Sequence, residues 1–326
     1  MNYIQQVYKT AHDWWRYIIG AIIAILGIFA FSVPHLVAIG IETVKGNIDS
    51  TRLEDTAYVL GLFEPNLNLI FVLLPFVGGL LFLLLAVKFL HKQSFKMLTT
   101  ARQKIDWKRF WFAFIFWGIV SSGMVLGDYF LNPEGYVNNF HLKPFLILCV
   151  IAIILVPLQT SFEEYFFRGY LMQGIGLIAK NRWLPLIITS TVFGLLHIAN
   201  PEVEKLGNII LIYYVGTGFF LGITTLMDDG LELSLGFHAA NNLFTALLVT
   251  ADWTAFQTHS IFKDISDPSE VGIGETLFPV FIIFPILLFI YAKKYKWTNW
   301  KDKLFGKVVE PVIIEPKEID EIGGLD

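Results

Sequence analysis

Eight nearly unbroken apolar stretches run along the chain, at 17–41, 66–90, 109–131, 145–178, 183–200, 207–227, 231–250 and 277–294. Each approaches the ~20 residues that a helix needs to cross the hydrocarbon core of a bilayer. The pattern predicts an all-α polytopic membrane protein of about eight transmembrane helices. The fourth stretch is unusual, because as a helix it would extend roughly 50 Å against a ~30 Å core, with Pro157 placed where a kink can form. It is expected to tilt, bend or project. The first stretch starts near Tyr17 and exceeds the ~7 to 15 residues of a signal-peptide core, so its helix is expected to stay in the mature protein.

Composition agrees with this pattern. Of 326 residues, 55% are hydrophobic and 16% charged, and the mean hydropathy is +0.60, far from an ordinary soluble domain. The net charge of -4 gives no basic surface for nucleic acid, which is not expected as a partner. Cys149 is the single cysteine, so neither an intramolecular disulfide nor a cysteine metal site can form.

The distribution of charge orients the helices. Lys88, Lys92, Lys96, Arg102, Lys104, Lys108 and Arg109 crowd the segment between the second and third stretches against Asp106 alone, which predicts a cytoplasmic loop. The loop after the first stretch and the one from Asp252 to Glu275 are acid-rich and are expected outside. Lys9 and Arg16 precede the first helix and Lys293 to Lys303 follow the last, so both termini are expected in the cytoplasm. Trp14, Trp15, Trp107, Trp183, Trp297 and Trp300 fall at predicted helix ends, as interfacial aromatics do. The tail beyond Val308, acidic and carrying Pro311 and Pro316, is expected to be mobile.

Against this apolar background a few polar residues stand out. Glu163, Glu164 and Arg168 lie within the fourth stretch, where ionisable groups are costly and mark function by default. Glu164 and Arg168 are four apart and share a face, which suggests an ion pair, whereas Glu163 points roughly 100° away toward Phe166 and Phe167. His197 follows Phe193 by one turn on the fifth stretch. His238 and Asn242 are four apart on the seventh, beside Gly236, Ala239 and Ala240, which permit close helix approach. Glu163 lies 17 residues before Lys180 and His197 lies 15 after Arg182, so the two are expected at similar depth. His238, six residues past Glu232, is expected about 10 Å shallower. Other polar positions read as structural: His35 lacks a polar neighbour at helical spacing, Asp128 adjoins a loop signal, and Asp228-Asp229-Gly230 spells a turn.

Two chemistries suit the set. Glu163 and His197 can deprotonate a water while His238 and Asn242 donate hydrogen bonds to the oxyanion of an attacked amide. Alternatively Glu163, His197 and His238 form a ligand set for catalytic zinc, although no HExxH helix is present. A transporter would also place charges at depth, but no duplicated halves or paired broken helices are visible. A non-catalytic membrane scaffold is the remaining alternative.

Taken in order, Glu163-Glu164-x-x-x-Arg168, Phe193-x-x-x-His197 and His238-x-x-x-Asn242 resemble the CPBP intramembrane proteases over about residues 145–250. That family, also called the abortive-infection family, includes CAAX prenyl endopeptidases and bacteriocin-processing or self-immunity proteins. The resemblance implies that Glu163 is the catalytic base with His197, that His238 and Asn242 form the oxyanion site, and that Glu164 and Arg168 support it. A metal-free mechanism with no cofactor fits Asn242 better than zinc does. The resemblance further implies a substrate in or on the bilayer: a peptide or protein, lipid-modified or a leader peptide. Residues 1–130 are then N-terminal helices of unassigned role, 131–250 the CPBP-like catalytic helices, 251–307 an outer loop with the last helix, and 308–326 the tail.

Overall fold

The computed structural model describes residues 2–311. Among them, eight helices follow the eight apolar stretches: α1 Trp14–Val44, α2 Pro65–Leu90, α3 Trp107–Leu131, α4 Leu142–Ala179, α5 Trp183–Ala199, α6 Ile210–Asp228, α7 Glu232–Leu248 and α8 Ile273–Tyr295. All except α5 and α7 are long and apolar enough to cross a membrane. Trp14, Trp107 and Trp183 are the first residues of α1, α3 and α5, where interfacial aromatics were expected.

α7 owes its modest hydropathy to its position. Every residue from Glu232 to Ala240 is buried, with α3 on one side and α4 on the other. A helix surrounded by protein needs no lipid-compatible face and can carry polar side chains inward. Small residues make this packing possible: a Cβ added at Gly236 would lie 2.2 Å from the backbone oxygen of Phe110 on α3. α1, at the opposite extreme, packs on α2 and exposes Ile22, Leu26, Phe29 and Leu36 in the manner of a lipid-facing helix. α2 also packs on α4, so the N-terminal helices clasp the central pair directly.

α4 continues through Pro157 as a helix and changes geometry later, in a π-helical turn from Tyr165 to Leu171 that begins immediately after Glu164. Such turns insert extra backbone into a helix and occur often at functional sites. Beyond the turn α4 projects. Gly176 packs against Ile4 of the N-terminal segment, and Val308 donates its backbone N–H to the Lys180 carbonyl at 2.9 Å. Gln5 also donates to the Val309 carbonyl, so the segment before α1 meets residues 308–309 on one face. The tail expected to be mobile from Val308 is therefore docked at its start. The rest of that tail, residues 312–326 with Pro316, lies outside the described residues.

Leu231 of the α6–α7 turn packs near Gly169 of α4. Gly169 and Glu232 are each six residues from Glu163 and His238 respectively, and these two side chains approach to 3.4 Å, so the expected 10 Å offset is absent. Asp228-Asp229-Gly230 does form a turn, with Asp229 in the left-handed region at φ 53°. Its charge is used as well. Arg102 donates to buried Asp228 at 2.6 Å and to buried Glu232 at 3.0 Å, Arg109 also pairs with Asp228, and Trp297 Nε1 donates to Asp228 at 2.9 Å. Two arginines of the basic loop thus pair with Asp228 and Glu232, while Lys303 pairs with Asp229.

On the opposite face, β1 Tyr136–Asn138, β2 Val249–Thr250 and β3 Phe262–Asp264 form a small sheet in the order β1-β3-β2. Asp128 lies not in a loop turn but, exposed, in the last helical turn of α3, where it accepts from Asn132 and the Tyr136 hydroxyl. His35 stacks on Phe71 with ring centroids 5.1 Å apart, a packing role as expected.

Candidate functional site

The polar residues singled out by spacing converge where α4, α5 and α7 meet. On α4, Glu164 and Arg168 bury their side chains fully, and Arg168 Nη1 donates to Glu164 Oε1 at 3.0 Å. Arg168 Nη2 donates to the Gly218 carbonyl on α6 at 3.2 Å, and the guanidinium lies 4.1 Å from the centre of the Phe193 ring on α5. One side chain thereby ties three helices together.

Glu164 Oε1 also meets His238 Nδ1 of α7 at 2.8 Å. A carboxylate paired with arginine only accepts, so Nδ1 carries the hydrogen and the imidazole orientation is fixed. Its other nitrogen, Nε2, faces Glu163 Oε2 at 3.4 Å. His238 therefore bridges two adjacent glutamates that differ in one respect: the side chain of Glu164 is 0% exposed and that of Glu163 is 11% exposed. The carboxylate with access to a reactant is Glu163.

One turn along both helices there is a second polar rung. Asn242 Nδ2 donates to Gln159 Oε1 at 3.0 Å, four residues after His238 and four before Glu163. Asn242 Oδ1 in turn accepts from Asn241 Nδ2 at 3.1 Å. The face of α4 carrying Gln159 and Glu163 is thus laid against the face of α7 carrying Asn242 and His238.

His197 occupies the last turn of α5, which tightens to a 3-10 geometry over Leu196–Ala199. Its Nδ1 lies 2.8 Å from the Phe193 carbonyl, an obligate acceptor, so Nδ1 donates and Nε2 is left with its lone pair. The ring stacks on Tyr214 of α6 at 4.3 Å. His197 is half-buried, and among the described residues no hydrogen bond links it to Glu163. The Phe193 ring stands between the two imidazoles, 4.9 Å from His197 and 6.0 Å from His238.

All six residues expected from the sequence thus surround one location, with the Glu164–Arg168 pair sealed behind Glu163 and His238. Gln159, Trp117, Asn241 and Tyr214 were not anticipated. Gln159 could have been found from its spacing to Glu163 and Asn241 from its adjacency to Asn242. Trp117 and Tyr214 carry no signal in an aromatic-rich chain.

Glu163 faces His238 Nε2, Glu164 takes Nδ1, and among the described residues no group of three His, Cys, Asp or Glu side chains is arranged to hold a metal ion.

Gly218 is a sensitive position in this frame. A Cβ there would meet the Ser190 backbone oxygen at 2.5 Å, while the Gly218 carbonyl holds Arg168. Gly218→Ala is expected to push α6 from α5 and to cost about 1–3 kcal/mol, read as a lower thermal midpoint in detergent. Gly40→Ala, where no described atom lies within 4 Å, is the control and should leave the midpoint in place.

Fold and site together define the class: a multi-pass integral membrane protein with a shielded carboxylate–imidazole centre among its helices. The family model for type II CAAX prenyl endopeptidase Rce1-like proteins matches residues 142–244, which include every candidate site residue. YyaK of Bacillus subtilis (strain 168) is 31% identical over 291 residues, 89% of this chain and 93% of that protein. A protein of Mycoplasma capricolum subsp. capricolum is 28% identical over 124 residues, 37% of this chain and 34% of that one. No solved structure matches at a significant level. The chain belongs to the Rce1-like family of the CPBP proteins, and membership supports intramembrane protease activity in general.

Proposed function

We propose that this protein is an intramembrane endopeptidase that hydrolyses a peptide bond of a membrane-associated peptide or protein by a metal-free, glutamate-dependent mechanism. The observation that carries the reading is the division between the two glutamates. Glu164 is sealed by Arg168 and His238, while Glu163 keeps an open side at the same cluster. Glu163, assisted by the free Nε2 of His197, takes a proton from water. The resulting hydroxide attacks the carbonyl carbon. Asn242 Nδ2–H and His238 stabilise the oxyanion, and the proton held by Glu163 passes to the departing amine as the C–N bond breaks.

The family description makes a prenylated CAAX terminus the first substrate to try. The site lies about six residues, or ~9 Å of helix, from the α6–α7 turn, on the face where Tyr3 and Lys303 meet Asp229. With the Lys-rich α2–α3 loop on that same face, we assign it to the cytoplasm.

The test uses purified protein in proteoliposomes with an internally quenched, farnesylated CAAX peptide. Cleavage should persist within about twofold after treatment with EDTA or 1,10-phenanthroline, a prediction resting on oxyanion stabilisation by side-chain donors. Zinc near one per chain, with activity lost on its removal and regained on its return, would overturn the metal-free mechanism.

A further inference from the structure

We infer that Trp117, Asn241 and Gln159 form a directional relay that positions the amide of Asn242 with its N–H groups toward the reacting carbonyl. The inference rests on the proposed role of Asn242 as an oxyanion donor and assigns positioning residues behind it. An amide side chain presents an oxygen or an NH2 group depending on which way it is turned, and only the NH2 orientation can stabilise an oxyanion. Something must fix the choice.

Trp117 of α3 does so, because an indole N–H donates and cannot accept. Its Nε1 donates to Asn241 Oδ1 at 3.1 Å, which turns the Asn241 NH2 toward Asn242. Asn241 Nδ2 then donates to Asn242 Oδ1 at 3.1 Å, and Asn242 Nδ2 is left to donate to Gln159 Oε1 at 3.0 Å. Reversing either asparagine would set oxygen against oxygen or leave the indole N–H without an acceptor. Each bond polarises the next in the same sense, and the second hydrogen on Asn242 Nδ2 remains for the substrate.

The anchor is rigid. Trp117 and Gln159 are both 5% exposed, and the Trp117 ring packs on Phe237, the residue before His238, with centroids 4.6 Å apart. α3 thereby acquires a task at the site although it lies outside the stretch matched by the family. The relay also accounts for an Asn-Asn pair where a single amide would suffice for donation, since the first asparagine sets the direction of the second.

The test is a kinetic cycle on the farnesylated peptide in proteoliposomes. Asn242→Ala is expected to lower kcat by about 10²- to 10³-fold, as loss of an oxyanion donor does. Trp117→Phe keeps the aromatic contact with Phe237 but removes the N–H, and should lower kcat about tenfold with KM unchanged, because the donor is misoriented and not lost. Asn241→Asp accepts from Trp117 yet cannot donate to Asn242, and should reproduce that loss if Trp117→Phe fails to fold. Adding either change to Asn242→Ala should cause no further drop, because residues that act through one another are not additive. A full further tenfold loss in the double variants would overturn the relay, as would wild-type kcat in both Trp117→Phe and Asn241→Asp. If cleavage by the wild type does not depend on Glu163, or does not occur, the proposed function falls and the relay with it. Glu163-dependent cleavage with additive variants removes the relay alone.

Discussion

Glu163→Gln should abolish peptide cleavage, lowering kcat by about 10³-fold or more while KM and the thermal midpoint hold, as expected when a general base is removed without disturbing its surroundings. The substitution is nearly isosteric, and its amide oxygen can still face His238 Nε2, 3.4 Å from the native carboxylate oxygen. The buried Glu164–Arg168 pair does not involve Glu163 and stays intact. What disappears is a group able to take a proton from water, and a 10³-fold loss corresponds to roughly 4 kcal/mol of transition-state stabilisation. Glu164→Gln provides the contrast. It strips charge from a sealed position that holds both Arg168 and His238, so stability and activity should fall together. Measured side by side, the pair separates a chemical role from a structural one. Glu163→Gln activity within tenfold of wild type would sink the assignment of Glu163 as base.

The Glu164–Arg168 pair could be read from spacing, because the two residues share a helix face whatever surrounds them. The apolar stretches located every long helix for the same reason, as the length needed to cross a bilayer is a property of the chain. Two things were not legible. The relative depth of His238 was misjudged because counting from helix ends treats all turns on one face as level. The α6–α7 turn instead packs Leu231 beside Gly169, with Arg102 and Arg109 paired to its Asp228. That contact depends on where the basic loop folds. The second was the set of partners behind the site. Trp117 and Tyr214 are residue types that occur throughout this chain, and only the approach of α3 and α6 gives them a role. α7 shows the limit in another form: its polar residues weaken its hydropathy because protein, and not lipid, encloses it.

Arg168→Leu is expected to be the most destabilising single change in the site, by about 3–5 kcal/mol, the range for breaking a buried ion pair from one side. The guanidinium serves Glu164, the Gly218 carbonyl and the Phe193 face at once, in an environment with no access to solvent. Leucine fills the volume but leaves the Glu164 carboxylate enclosed with only His238 for company. Arg168→Lys should fall between, since a single ammonium cannot reproduce the planar fork that reaches two helices together. The combination Glu164→Gln with Arg168→Met tests the origin of the loss. With no unpaired charge left inside, part of the thermal midpoint should return, while cleavage stays low because His238 has lost the anion that fixes its Nδ1 hydrogen. Thermal midpoints in detergent and kcat for the three variants measure these effects. An Arg168→Leu protein within about 1 kcal/mol of wild type would mean that water reaches Glu164, and the shielding that distinguishes it from Glu163 would then fail as the basis for their separate roles.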